Sequence, residues 1–232
     1  MDDWWRPASR IALRVALAFV LGSVLLVLVF RVVPVFGSMV MLEREISSWF
    51  SSESLDIQQH WRPDSEISDY ARLAVIAAED QRFPEHHGFD LVELRRAIER
   101  GMNGGSLRGA STISQQTAKN LFLWTGRDWI RKGFEAWFTL LIELFWPKER
   151  ILEVYLNIAE FDRGVFGIQA ASQHYFGVNA DQLSQAQAAR LAAVLPNPRE
   201  RSASSPGPAT ARHAAWIQRQ MNNLGLRYLE RL

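Results

Sequence analysis

From Val15 to Phe30 the chain carries no charged residue, and its apolar character extends from Ile11 to Phe36. At 1.5 Å per residue the uncharged stretch covers roughly 24 Å of a hydrocarbon layer about 30 Å thick. Arg14 and Arg31 stand at its ends, where long cationic side chains snorkel outward and complete the crossing. Arg6, Arg10 and Arg14 lie on the amino-terminal side, so that end stays in the cytoplasm and everything after the run is exported. A cleaved signal peptide is the alternative, but its apolar core is shorter and a small-x-small site follows it; no such site follows cleanly here. The expected organisation is a cytoplasmic terminus (1–10), a transmembrane anchor (11–36), a juxtamembrane connector (37–65), a helical head (66–200) and a helical tail (201–232).

Composition narrows the exported part. Twenty-six basic residues face 25 acidic ones, a net charge of +1 that predicts no nucleic acid partner. With no cysteine, disulfides and thiolate metal sites are excluded. Only Lys119, Lys132 and Lys148 are lysines, and their crowding marks that window for inspection.

Beyond the anchor the patterning is helical, and no strand periodicity persists. Met39–Phe50 is amphipathic and suits a membrane surface. Helices are expected over Glu66–Arg82, stopped by Phe83-Pro84, and over Asp90–Arg100, stopped by Gly101. Gly101–Ser111 is a glycine-rich loop. Thr112-x-x-Gln115 and Ser184-x-x-Gln187 have the spacing of capping boxes, and Asp128 suits an N-cap. The helix from Trp129 to Trp146 is expected to bury Ile130, Phe134, Trp137, Phe138, Leu141 and Phe145. The last helix falls near Ala211–Leu224. The fold class is all-α.

Glu79 ends the run Leu73-Ala74-Val75-Ile76-Ala77-Ala78, an apolar setting that raises a carboxyl pKa into a range useful for proton transfer. The bland alternative is a helix-end ion pair with Arg82 or a histidine. Asp80 points elsewhere and can buttress the following loop. Gly104–Gly109 has P-loop spacing, but Ala110-Ser111 stands where Lys-Ser/Thr is required, so nucleotide binding fails. Gln115 and Lys119 share a helix face at i, i+4, and Arg131, Lys132 and Glu135 form either a surface salt-bridge ladder or a carboxylate inside a cationic cluster. His86 and His87 are adjacent and cannot form an H-x-x-x-H pair, which makes a protein metal cage an unfavoured reading. No Ser-x-x-Lys occurs, so a penicillin-sensitive acyl-transfer module is absent.

Taken in order, EDQRFPEHHGFD (79–90), GASTISQQTAKNLFL (109–123), RKGFEAWFTLLIE (131–143), KERILEVYLNIAEF (148–161) and AARLAAVLPNP (188–198) resemble the five motifs of the family 51 glycosyltransferases. A single anchor without a transpeptidase module is similar to their monofunctional biosynthetic peptidoglycan transglycosylases. The resemblance implies a lysozyme-like bilobed helical head with a membrane-associated jaw on the outer face of the cytoplasmic (inner) membrane. It implies polymerisation of lipid II into β-1,4 glycan with inversion and release of undecaprenyl diphosphate. The implied partners are lipid II, the undecaprenyl-diphosphate-linked glycan and the membrane, with cell-wall synthesis or divisome proteins as candidates.

By motif match Glu79 is the general base, and Glu135 organises the donor diphosphate or a divalent cation (Mg2+ or Mn2+), none being obligatory. Lys119 and Arg127 match cations that neutralise the leaving diphosphate. Ser111, Gln115 and Gln116 match polar donor contacts, Arg131 and Lys132 match the cationic part of the third motif, and Arg96 is a weaker match between motifs. Two rivals remain at this point: a lysozyme-like peptidoglycan-cleaving glycosidase, which needs a carboxylate but neither Lys119, Arg127 nor an anchor, and a non-catalytic envelope scaffold, which needs neither glutamate.

Overall fold

The computed structural model describes residues 5–50, 55–102, 111–126 and 128–232, with side chains from residue 9 onward. Residues 103–110 of the expected Gly101–Ser111 loop and the candidate cation Arg127 lie outside the described residues. The chain forms two compact units, Met1–Pro34 and Val35–Leu232. The first is built on helix α1 (Trp5–Phe30). Its segment Ser9–Phe30 is, among the described residues, the one helix long and apolar enough to cross a membrane.

The second unit is mainly helical. It runs through α2 (Met39–Trp49), α3 (Asp69–Glu79), α4 (Leu91–Met102), α5 (Ile113–Phe122), α6 (Trp129–Phe145) and α7 (Lys148–Ile158). It continues with α8 (Ile168–Phe176), α9 (Gln185–Val194) and α10 (Pro208–Leu224). It takes in both the segment 37–65 and the tail. Against the expectation of no strands, Gln58–Gln59 (β1), Glu160–Asp162 (β2) and Val165–Phe166 (β3) form a small sheet in the order β1-β3-β2. β1 pairs with β3 in parallel and β2 with β3 antiparallel. Strands of two or three residues are too short to show a period of two, which is why the pattern gave no sign of them.

Local signals set most boundaries. Both capping boxes form, with Thr112 at the head of α5 and Ser184 at the head of α9. The Asp128 side chain accepts from the Arg131 amide and caps α6. α3 is shorter than the expected Glu66–Arg82. It starts after Ser68 and ends at Glu79, because Asp80 leaves helical geometry (φ −160°). α4 passes through Gly101 to Met102, since one glycine in a last turn costs only about 1 kcal/mol against alanine.

Ile130 is not buried as expected but 71% exposed. It sits in the first turn of α6, whereas Phe138, Leu141 and Ile142, further along, form the buried side.

Two packed groups position the site. α10 packs on α9 and α3, and α3 packs on α9; α5 packs on α6, α7 and α2. Ala71, Leu73, Ala74, Val75, Ile76 and Ala77 of α3 are all buried, so the helix is held on nearly every side up to Glu79. The loop after α3 is pinned as well. Gly88 has φ +87°, a conformation that side chains resist, and a Cβ there would lie 2.7 Å from Thr139 Cγ2. Its carbonyl accepts a 2.6 Å hydrogen bond from Thr112 Oγ1, which ties the loop to the start of α5.

Candidate active site

Glu79 is the last residue of α3 and Gln116 lies one turn into α5; the Gln116 Nε2 donates to Glu79 Oε2 at 2.8 Å. The Gln116 Oε1 in turn accepts from the Tyr155 hydroxyl of α7 at 3.2 Å. Tyr155 is buried, and burial, then the Glu79 charge, push its pKa well above the ordinary tyrosine value, so it remains a donor. The result is a directed line, Tyr155 to Gln116 to Glu79, which fixes the amide orientation and aims one carboxylate oxygen. Burial raises the Glu79 pKa, with the Asp80 charge adding to the rise; the Gln116 hydrogen bond, Lys119 and Arg201 oppose it. Among the described residues no cation forms an ion pair with Glu79, so the helix-end ion-pair reading does not hold.

Asp80 does the buttressing expected of it. Its Oδ2 accepts from the Ile113 amide at 3.0 Å, at the first turn of α5, and both oxygens lie about 3 Å from His86 Nε2. This carboxylate couples the end of α3 to the start of α5, hence Glu79 to Gln116. Asp80, His86 and Asp90 offer ligand atoms within 4.8 Å of one another. Asp80 is engaged by the Ile113 amide and His86, whereas among the described residues His86 Nδ1 and Asp90 Oδ2 are buried without a hydrogen-bond partner. Asp90 Oδ1 accepts from the Val92 and Glu93 amides and from Arg82 Nη1, and the nearby guanidinium disfavours a metal ion.

The second carboxylate is not part of a surface ladder. Glu135 is 3% and Arg131 9% exposed. Arg131 Nη1 donates to Glu135 Oε2 at 2.7 Å, and Lys132 Nζ bonds to Oε1. With both oxygens so held, Glu135 alone does not make a divalent-cation cage, whose hard ion needs several oxygens. Beside this cluster burial lowers the Lys119 pKa; Arg131 and Lys132 add to the fall, while Glu135 and Glu79 oppose it.

Two recesses meet at this line of residues. One, about 270 Å³, is lined by Glu79, Arg82, Arg100, Ser111 and Trp216, among others. The other, about 180 Å³, is lined by Gln116, Lys119, Tyr155, Arg44 and Glu160. Gln116 therefore belongs to one recess and holds the acid of the other. Gln115 is turned away from this role: its Oε1 accepts from the Thr112 amide in the capping box. Arg96 is exposed, bonded to Glu93, and does not line the cleft.

Tyr155, Trp216 and the Asp80–His86 pair complete the arrangement without having been singled out as site residues. Tyr155 stands inside the fourth motif, one helical turn from other apolar residues, and reads there as core. Trp216 lies in the tail, beyond every motif.

Tyr155→Phe tests the orienting line. It leaves the part-buried Gln116 carbonyl without its donor, which costs about 1 kcal/mol of stability. A lower thermal midpoint together with a several-fold loss of turnover is expected; unchanged turnover would show that Gln116 needs no orienting.

The family described as Transglycosylase matches residues 46–222. A biosynthetic peptidoglycan transglycosylase of Chromohalobacter salexigens is 68% identical over 231 residues, 99% of each chain. Proteins of the same name from Pseudomonas fluorescens (strain Pf0-1) and Ectopseudomonas mendocina are 61% and 56% identical, covering 88% and 95% of this chain and 85% and 91% of their own. With the family model spanning most of the chain and a relative matched over 99% of it, the chain belongs to the transglycosylase family.

Proposed function

We propose that Glu79 is the general base of this peptidoglycan glycosyltransferase and that the Lys119 recess receives the diphosphate of the donor. The enzyme polymerises lipid II, on the evidence of its family. Glu79 takes the proton from the 4-hydroxyl of the incoming GlcNAc, and the freed oxygen attacks C1 of the donor sugar from the face opposite the diphosphate. The C1–O bond to the diphosphate breaks, and its electron pair leaves on the phosphate oxygen. Configuration inverts from α to β with no covalent sugar–enzyme intermediate. The observation that carries the assignment is the Gln116 amide: it binds Glu79 while lining the recess that holds Lys119.

Lys119 faces the diphosphate in this reading, backed by Arg131 and Lys132, whose charges Glu135 holds in place. Fixed cations aimed at charge that develops on a leaving group are among the larger catalytic terms. Arg127 and Ser111 are donor-site contacts on motif grounds alone. A divalent ion at Glu135 would have to displace the Arg131 or Lys132 contact, so in this reading charge neutralisation at the diphosphate falls to the cations of the chain.

The anchor keeps this site at the inner membrane, with the amino terminus cytoplasmic and the head periplasmic. The exposed apolar side chains Trp49, Phe50, Trp129 and Ile130 add interfacial contact. Incubation of the full chain with labelled lipid II, followed by gel separation, should give a ladder of glycan polymer, and its absence would defeat the reading. A chain beginning at Val35 should lose more activity on lipid II in bilayers than on a short-chain, water-soluble analogue, because tethering concentrates only a membrane-bound substrate. Equal losses on the two substrates would make the first 34 residues part of the catalytic fold.

A further inference from the structure

The cleft that holds Glu79 is lined mostly by charged and small polar residues, and among the described residues Trp216 is its one aromatic side chain. It comes from α10, a helix outside the five motifs. Thr210, Ala214, Ile217 and Met221 form the buried face of that helix, which packs on α3 and α9. Trp216 lies on the flank of this face and is 37% exposed, whereas the residues that secure the helix are at most 7% exposed.

Its orientation is set from within the helix. His213, one turn earlier, stacks on the indole with ring centroids 5.8 Å apart and planes 23° from parallel. The imidazole is half-buried, and burial lowers its pKa, so it backs the indole chiefly as a neutral ring. A flat, apolar wall with fixed orientation thus stands in a polar cleft beside a carboxylate. A pyranose ring matches such a cleft. Its C–H face packs against the negative face of an aromatic ring, while its hydroxyls meet the polar groups around it.

We propose that Trp216 is the stacking platform for the acceptor sugar, the aromatic face on which the GlcNAc ring rests in the cleft of Glu79. The inference rests on the reading of Glu79 as the base. It makes the carboxyl-terminal helix a part of the acceptor site. Trp216 binds substrate and takes no part in proton transfer.

The test compares Trp216→Leu, which keeps apolar bulk without a flat ring, with Trp216→Phe, which keeps the ring. Elongation is measured with a saturating preformed lipid-linked glycan as donor and lipid II varied as acceptor. The leucine variant should raise the acceptor KM about tenfold, an amount in keeping with one lost aromatic contact. Its kcat should stay within about threefold and the phenylalanine variant's KM within about twofold, the signature of lost ground-state binding. Equal effects of Leu and Phe, or a leucine KM near wild type, would reduce Trp216 to packing and overturn the proposal.

A second measurement needs no turnover. The full chain carrying Glu79→Gln, in detergent micelles with 15N-labelled tryptophan, is titrated with the soluble GlcNAc–MurNAc disaccharide lacking diphosphate. The Trp216 indole resonance, identified by its loss in Trp216→Phe, should shift with saturation; an unmoved resonance overturns the platform. The two readings fail separately. Near-normal polymerisation by Glu79→Gln defeats the base assignment, while the indole shift reports on Trp216 alone.

Discussion

Glu79→Gln should abolish glycan polymerisation while leaving the helical circular dichroism intact. General-base contributions are about 10²–10⁴-fold, and the inverting displacement has no covalent route around the missing base. Glutamine keeps the volume and still offers an oxygen to Gln116 Nε2, so the loss is chemical and not a collapse of the site.

The same substitution should stabilise the fold at neutral pH. Burial raises the folded-state pKa of Glu79 above its unfolded value. Between those two values the folded chain binds more protons than the unfolded one, so stability falls as pH rises through the window. As pH rises through that window the wild type takes on the penalty, and the amide never does. Thermal midpoints should therefore differ at pH 7, in favour of the variant, and converge below the ordinary glutamate pKa. For the wild type, the acid limb of kcat/KM should lie above that ordinary value. Polymerisation within a few-fold of wild type would show that another group takes the proton.

Why Glu79 was legible, and much of its surroundings not, follows from distance along the chain. The apolar run before Glu79 is contiguous, so its desolvation can be read from neighbours in sequence. The capping boxes at Thr112 and Ser184 are equally local, spanning four residues each. The Arg131–Glu135 contact was visible as i, i+4 spacing. Its burial was not, because it depends on the packing of α5 against α6, and the sequence left a surface ladder open. The hydrogen bond from Gln116 to Glu79 joins residues 37 apart, and Tyr155 reaches Gln116 across 39. No periodicity marks such pairs. The sheet was invisible for a related reason: β1 and β3 are more than a hundred residues apart and two residues long.

The glycosidase alternative also weakens once the contacts are known. An inverting hydrolase needs a second carboxylate free to activate water. Glu135 has one oxygen on Arg131 and the other on Lys132, an arrangement that leaves neither free. It orders cations, which a reaction that expels a diphosphate requires and a hydrolysis of a plain glycosidic bond does not.

Lys119→Ala and Lys148→Ala should separate catalysis from stability. Lys119 lies in the recess with Gln116, next to the Arg131–Glu135–Lys132 cluster, and its removal takes away the cation proposed above to face the leaving group. Loss of one such preorganised group costs about 10²–10³-fold in turnover. Little should change in the thermal midpoint, because an ammonium whose pKa burial has lowered is itself held at some cost in the folded state. Lys148 serves the fold. It pairs with Glu143 at 2.8 Å, where both side chains are largely buried, and lies 4.5 Å from the Phe83 ring centroid. Its removal leaves Glu143 without its cation, a loss of about 1–3 kcal/mol, with turnover changed only a few-fold at temperatures where the protein stays folded. The wild type should also show an alkaline limb as Lys119 deprotonates. In kcat/KM, which reports the free enzyme, that limb lies below the ordinary lysine range; in kcat it moves up, since a bound diphosphate favours the charged lysine. Equal losses of turnover in the two variants, or a limb that does not move on saturation, would place the leaving group away from Lys119.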